Sequence, residues 1–182
     1  MTRVRLGATM IATVVGLSIA ASAAFAQNCT ASGAPANCGV PGSVSMTAGR
    51  VVQLQISAGS TALTAPTPAD FDAGFNSTSG PTLTASANAS WTLSVRAAAA
   101  TWTATNTSPG VPARTTKPAA DLKWSTASNG SFVSLTTSDV NLITGSATAS
   151  NATTLYFQTL YSWTLDTPGN YSMSIVLTLT SP

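Results

Sequence analysis

Tyr171-Ser172-Met173-Ser174-Ile175-Val176-Leu177-Thr178-Leu179-Thr180 alternates apolar and polar residues almost to the end of the chain. Tyr171, Met173, Ile175, Leu177 and Leu179 fall on one face. Ser172, Ser174, Thr178 and Thr180 fall on the other, with Val176 the exception. A period of two over this span predicts a β-strand. Asp166-Thr167-Pro168-Gly169-Asn170 precedes it and has the composition of a turn. Before the turn, Tyr161 to Leu165 alternates again. The expectation is a closing β-hairpin with a long amphipathic second strand. That strand carries no charge and no proline, the usual protections of an exposed sheet edge. It therefore pairs inside a sheet, beside the strand containing Trp163, or it is the surface through which copies join.

Outward from this strand the same pattern recurs in shorter pieces. Val44–Thr47 and Val51–Ile56 flank Gly49-Arg50 as a candidate hairpin. Leu83–Ala85, Ser90–Arg96, Thr101–Thr105, Asp121–Ser125, Ser131–Leu135, Leu142-Ile143 and Thr153–Leu165 are further β-prone runs, with Thr61–Ala65 a short one. Residues 66–81 and 108–118, rich in Pro, Gly, Asn and Ser, read as loops. Outside the leader no window sustains a 3.6-residue period. Many short strands without helices predict an all-β fold, and an immunoglobulin-like antiparallel β-sandwich suits the length better than a closed barrel.

The start of the chain reads as an export signal. Arg3 and Arg5 precede an apolar run from Leu6 to Ile19, and Ala24-Phe25-Ala26 is a small-x-small cleavage site. The run is short for a membrane span, which needs about 20 apolar residues. The expected organisation is a signal peptide at 1–26, an N-terminal arm at 27–42, and one domain at 43–182. The mature chain would have no transmembrane segment and would be secreted or held at a cell surface.

Removing Arg3 and Arg5 from the 7 Lys and Arg leaves five basic residues against 5 acidic ones. The mature chain is then neutral, and the basic leader gives no reason to expect nucleic-acid binding. Charged residues are 7% of the whole, against about 25% in typical soluble domains. Ser, Thr and Asn must carry solubility, a composition common in exported surface proteins. The two cysteines, Cys29 and Cys38, are expected to pair as a disulfide that staples the arm in an oxidising compartment. A structural zinc site is excluded by the absence of histidine and of a second cysteine pair.

Chemistry is sparsely represented. With no His and no Glu, a catalytic triad has no usual base. A Ser–Lys dyad would need Lys117 or Lys123 buried beside a serine; Lys117 lies in a Pro-rich loop and Lys123 alternates with Leu122 and Trp124. No catalytic residue and no cofactor is expected. Asp70-Phe71-Asp72, with Asn76 nearby, is a candidate calcium site through oxygen ligands. The same carboxylates serve equally as solvated turn residues that pin a buried Phe71. Among the tryptophans, Trp91, Trp124 and Trp163 read as core. Trp102, between Thr101 and Thr103, is the candidate for exposure and for stacking on a glycan. Asn-x-Ser/Thr sequons, as at Asn76, Asn88 and Asn151, arise by chance in a chain this rich in Ser, Thr and Asn.

Two tripeptides carry a resemblance: Trp91-Thr92-Leu93 and Trp163-Thr164-Leu165. The chain resembles bacterial WxL cell-wall-associated proteins, which have two such tripeptides in one domain, the second followed by Pro. Here Tyr161 lies closer to Trp163 than in that family, and the chain continues beyond Pro168. The closing segment from Pro168-Gly169-Asn170-Tyr171 also resembles the last strand of spore-coat-U-type and fimbrial subunits. These resemblances imply a secreted β-domain held non-covalently on a cell surface, or immunoglobulin-like subunits that exchange a strand with a neighbour. The expected function is an exported, non-enzymatic structural or adhesion-type surface domain that joins itself or another surface protein. The alternative is a secreted module for cell-wall polysaccharide.

Overall fold

The computed structural model describes residues 29–40 and 42–182; the expected leader at 1–26 lies outside them. The chain divides into two compact units, Met1–Thr47 and Ala48–Pro182. In the first, Cys29 and Cys38 are joined as a disulfide with Cα atoms 5.8 Å apart. Val44–Thr47 forms no strand.

The second unit is built from strands in antiparallel sheets with little helix. In chain order the elements are β1 (Val52–Ile56), α1 (Pro68–Ala73), β2 (Phe75–Ala87), β3 (Trp91–Ala97), β4 (Thr103–Asn106), a 3-10 turn at Ala119–Asp121, β5 (Leu122–Ser125), β6 (Val133–Ser134), β7 (Val140–Gly145), β8 (Thr148–Leu160), β9 (Gly169–Ser172) and β10 (Ile175–Thr180). One sheet has the order β1-β2-β8-β5-β6, a second β10-β3-β7, and a two-stranded ribbon joins β4 to β9.

Two apolar clusters draw on both larger sheets. Leu83 and Ala85 of β2 meet Trp91 and Leu93 of β3 in one. Val95 and Ala97 of β3 meet Trp124 of β5 and Leu155 and Phe157 of β8 in the other. The alternation along β2 and β8 explains this: at the far end of β2 every second residue, from Leu83 to Ala87, is buried. Gly145 stands opposite Trp91 in the β3–β7 ladder, and a Cβ there would lie 2.5 Å from the indole. The bare backbone at Gly145 is what leaves room for the ring beside β7.

The expected closing hairpin does not form. The strand before the turn ends at Leu160, and β10 pairs with β3, with Leu179 opposite Leu93 and Leu177 opposite Val95. The amphipathic run itself breaks at Met173-Ser174 into β9 and β10, because β9 leaves to pair with β4. The face predicted for assembly points inward: Tyr171, Met173, Ile175 and Leu177 pack on one cluster and Leu179 on the other. Residues 66–81, expected as a loop, hold α1 and the first half of β2. That half is written in Phe, Asn, Ser and Thr and pairs with the Tyr156–Leu160 end of β8. Gly80-Pro81 marks a bulge between Ser79 and Thr82.

Candidate functional site

The eight residues from Tyr161 to Pro168 connect β8 to β9 and form one wall of a cleft. The opposite wall is α1 and its approach. Thr67 caps α1, and its backbone N–H donates to Asp70 Oδ2 at 2.7 Å, closing a capping box, while Pro68 occupies the first turn. These hydrogen bonds hold the Asp70 carboxyl below its ordinary value of 3.8, the Thr67 backbone donor contributing most. The helix ends after one turn and a half at Gly74, whose φ of +80° suits a left-handed cap. Gly74 O then accepts from the Tyr161 N–H at 2.9 Å, which ties the two walls together.

This tie brings three aromatic rings into contact. Phe71 stacks on Trp163 with centroids 4.6 Å apart and meets Tyr161 at 5.4 Å. Trp163 Nε1 donates to Asp72 Oδ1 at 2.9 Å. Trp163 is 60% exposed even so, and Leu165 is exposed beside it. Burial pushes the Tyr161 phenol above its ordinary value.

Beneath the rings lies a buried ionic network. Lys117 Nζ donates to Leu160 O at 2.7 Å and to Asp166 Oδ1 at 2.9 Å, and lies 3.4 Å from Asp121 Oδ2. Arg114 Nη1 reaches the same two carboxylates, at 3.0 Å for Asp166 and 3.4 Å for Asp121. Asp166 Oδ2 accepts from the Ser162 N–H at 2.9 Å, so its carboxylate closes the turn that displays Trp163. The Tyr171 hydroxyl donates to Thr167 O and accepts from the Arg114 N–H, fixing the far end of the same loop. Two cations face two anions, so the network is neutral as a whole. The Lys117 ammonium also sits 5.5 Å from the Tyr161 ring and 6.0 Å from the Trp102 ring, within cation–π range.

Together these elements enclose a cleft of about 660 Å³, in the range of about 300–1,000 Å³ usual for small-ligand sites. Its lining is mainly apolar and aromatic. Lys117 and Asp166, already paired, are its charged members.

The structure separates the residues singled out in the sequence. The two Trp-x-Leu tripeptides occupy opposite environments. Trp91 and Leu93 are core, with Trp91 Nε1 donating to Ser146 O at 2.8 Å. Trp163 and Leu165, expected in the core, are on the surface. Trp102, expected to be exposed, is only 5% accessible. Its N–H donates to Lys117 O and its indole to Pro118 O at 3.1 Å, which turns the ring into the core. Asp70 and Asp72 are committed to Thr67 and Trp163, and among the described residues no group of three or more His, Cys, Asp or Glu side chains could hold a metal ion. Lys117 is buried, but its partners are a carbonyl and carboxylates, not a serine. Among the described residues no helix is long and apolar enough to cross a membrane.

The ionic network escaped the sequence reading. The signal available was scarcity. After residue 26 the chain has five basic and five acidic residues, and Arg114, Lys117 and Asp121 fall within one stretch of eight. Charges so few and so close tend to be partners. No protein-family model matches this chain, and no curated protein does.

Proposed function

We propose that the chain is an exported, non-enzymatic structural or adhesion-type module of a bacterial cell surface. In this reading it is an immunoglobulin-like β-sandwich that joins copies of itself, or another surface protein, through its sheet edges. The observation that carries the reading is the character of those edges. β10 borders its sheet with Ile-Val-Leu-Thr-Leu-Thr, and β7 borders the other side with Val-Asn-Leu-Ile-Thr-Gly. β1, the edge of the larger sheet, is Val-Gln-Leu-Gln-Ile, with Val52 and Ile56 exposed. None contains a charge or a proline, and only β7 carries a bulge, so unpaired N–H and C=O groups stand with few of the devices that usually keep sheets apart. Leu54 of β1 and Leu177 and Leu179 of β10 pack on the same cluster, so two such edges border one side of the domain.

The inward apolar face of β10 is already used, so association runs through backbone pairing and not through Tyr171, Met173 or Ile175. The disulfide between Cys29 and Cys38 fits an oxidising compartment. The expected leader supports export. Light scattering over a dilution series, with electron microscopy of the same material, tests the reading. Oligomers or filaments that persist on dilution are expected; a monomer at every concentration contradicts it.

A further inference from the structure

We infer that the cleft between α1 and the Tyr161–Pro168 segment binds a short stretch of neutral oligosaccharide, with Trp163 as its stacking platform. The inference is independent of the edge reading and stands on different residues.

Trp163 is the first reason. A tryptophan side chain normally buries a large apolar area, yet this one is 60% exposed. It is not loose. Phe71 supports one side at 4.6 Å, Asp72 holds the indole N–H at 2.9 Å, and Asp166 closes the turn on which it sits. An exposed aromatic held in one orientation by three contacts loses little entropy when a flat apolar surface lies on it.

The second reason is the charge of the cleft. Lys117 and Asp166 neutralise each other within it, and Arg114 and Asp121 complete the balance behind. A phosphate or carboxylate ligand would meet no unpaired cation, and an amine no unpaired anion. The third reason is the mixture of surfaces. Aromatic and proline side chains line the interior, while Thr64, Thr167 and Asn170 add uncharged polar groups, the Thr167 hydroxyl free to accept while it donates to Pro112 O. A sugar ring has this complement: an apolar face of C–H groups, and uncharged hydroxyls around its edge. The volume of about 660 Å³ accommodates more than a single ring.

Tryptophan fluorescence reads the site directly, because Trp91, Trp102 and Trp124 are at most 6% exposed and Trp163 alone faces solvent. The purified protein is titrated to millimolar concentration with cellotetraose, maltotetraose and chitotetraose, and with a proline-rich peptide as comparison. A saturable change in emission with at least one of the sugars is expected. Isothermal calorimetry then compares variants. Trp163→Ala is expected to weaken binding by about tenfold or more, the scale on which removing one aromatic anchor weakens a site, and Trp163→Phe to retain part of it. Thermal melts establish that both variants are folded. If Trp163→Ala does not fold, Asp72→Ala, which removes the acceptor of the indole N–H, carries the same expectation in weaker form. Absence of response to every sugar, undiminished binding in the variants, or a response to the peptide alone overturns the inference.

Discussion

At the scale of single residues, Asp166 has the most partners to lose. It accepts from Arg114, Lys117 and the Ser162 backbone, with a side chain 7% exposed. A buried ion pair adds little over a well-packed apolar core, because desolvation offsets the attraction, but breaking one leaves a charge without its partner. Asp166→Leu is therefore expected to cost about 3–5 kcal/mol, measured by urea unfolding. Adding Lys117→Met is expected to restore part of that loss, since two cations would otherwise share the single carboxylate of Asp121. A double variant no more stable than Asp166→Leu alone would contradict the coupling.

Asp70 gives a pH dependence whose sign follows from its capping role. Its folded-state pKa lies below the ordinary 3.8, so the ionised form is the one the fold favours. The stabilisation is complete above 3.8 and is lost as pH falls through the depressed folded value. Asp70→Ala is accordingly expected to lower Tm at neutral pH, and the gap from the wild type is expected to close well below 3.8. A gap that stayed constant into acid would show that the carboxylate charge is not what the cap uses.

Among the elements, the β3–β7 ladder sets the tightest condition. A methyl group at Gly145 would meet the Trp91 ring at 2.5–2.9 Å, so the indole or the strand must move. Gly145→Ala is expected to cost about 1–3 kcal/mol, the usual range for overpacking. The comparison that isolates the cause is Gly110→Ala, at a φ of +75° with nothing near its Cβ, where backbone strain alone acts. If Gly145→Ala were neutral, the close approach of Trp91 to bare backbone would not be what shapes this corner.

The elements also show what the sequence could and could not display. β3 and β5 were legible because their apolar residues are buried, and β1 because Val52, Leu54 and Ile56 alternate with polar residues, although only Leu54 is half-buried. The closing run was legible as a strand but not as two, since the break at Met173-Ser174 follows from a partner, β4, more than sixty residues earlier. Pairing of β10 with β3 rather than with its chain neighbour is likewise a long-range choice that a local period of two does not encode. The first half of β2 was hidden by composition: Asn, Ser and Thr there form a half-exposed ladder with β8, and turn-rich residues in a ladder look like a loop. The cleft was half visible. Asp70-Phe71-Asp72 lies on its wall, where Asp70 caps α1 and Asp72 holds the indole, and Trp163 was misplaced because Tyr161–Leu165 mimics a strand. Its true conformation is set by Asp166 and by two residues, Arg114 and Lys117, some fifty positions upstream.

For the whole molecule, low charge and open edges are two sides of one property. A chain with only 7% charged residues and uncharged edge strands has little electrostatic repulsion to keep copies apart. An intracellular domain of this kind would be an aggregation hazard; for a module that works by joining neighbours on a surface the same feature is useful. Gln55, Asn141 and Thr180 are exposed positions on β1, β7 and β10. Lysine at each places a charge on every one of these edges, and exposed substitutions of this kind shift stability by no more than about 0.5 kcal/mol apiece.

Sedimentation velocity over a concentration series, comparing the wild type with the Gln55→Lys, Asn141→Lys, Thr180→Lys triple variant, tests the edge reading most directly. The account predicts association that grows with concentration in the wild type and a folded monomer in the variant. A wild type that stays monomeric throughout, or a variant that associates as strongly, would contradict it.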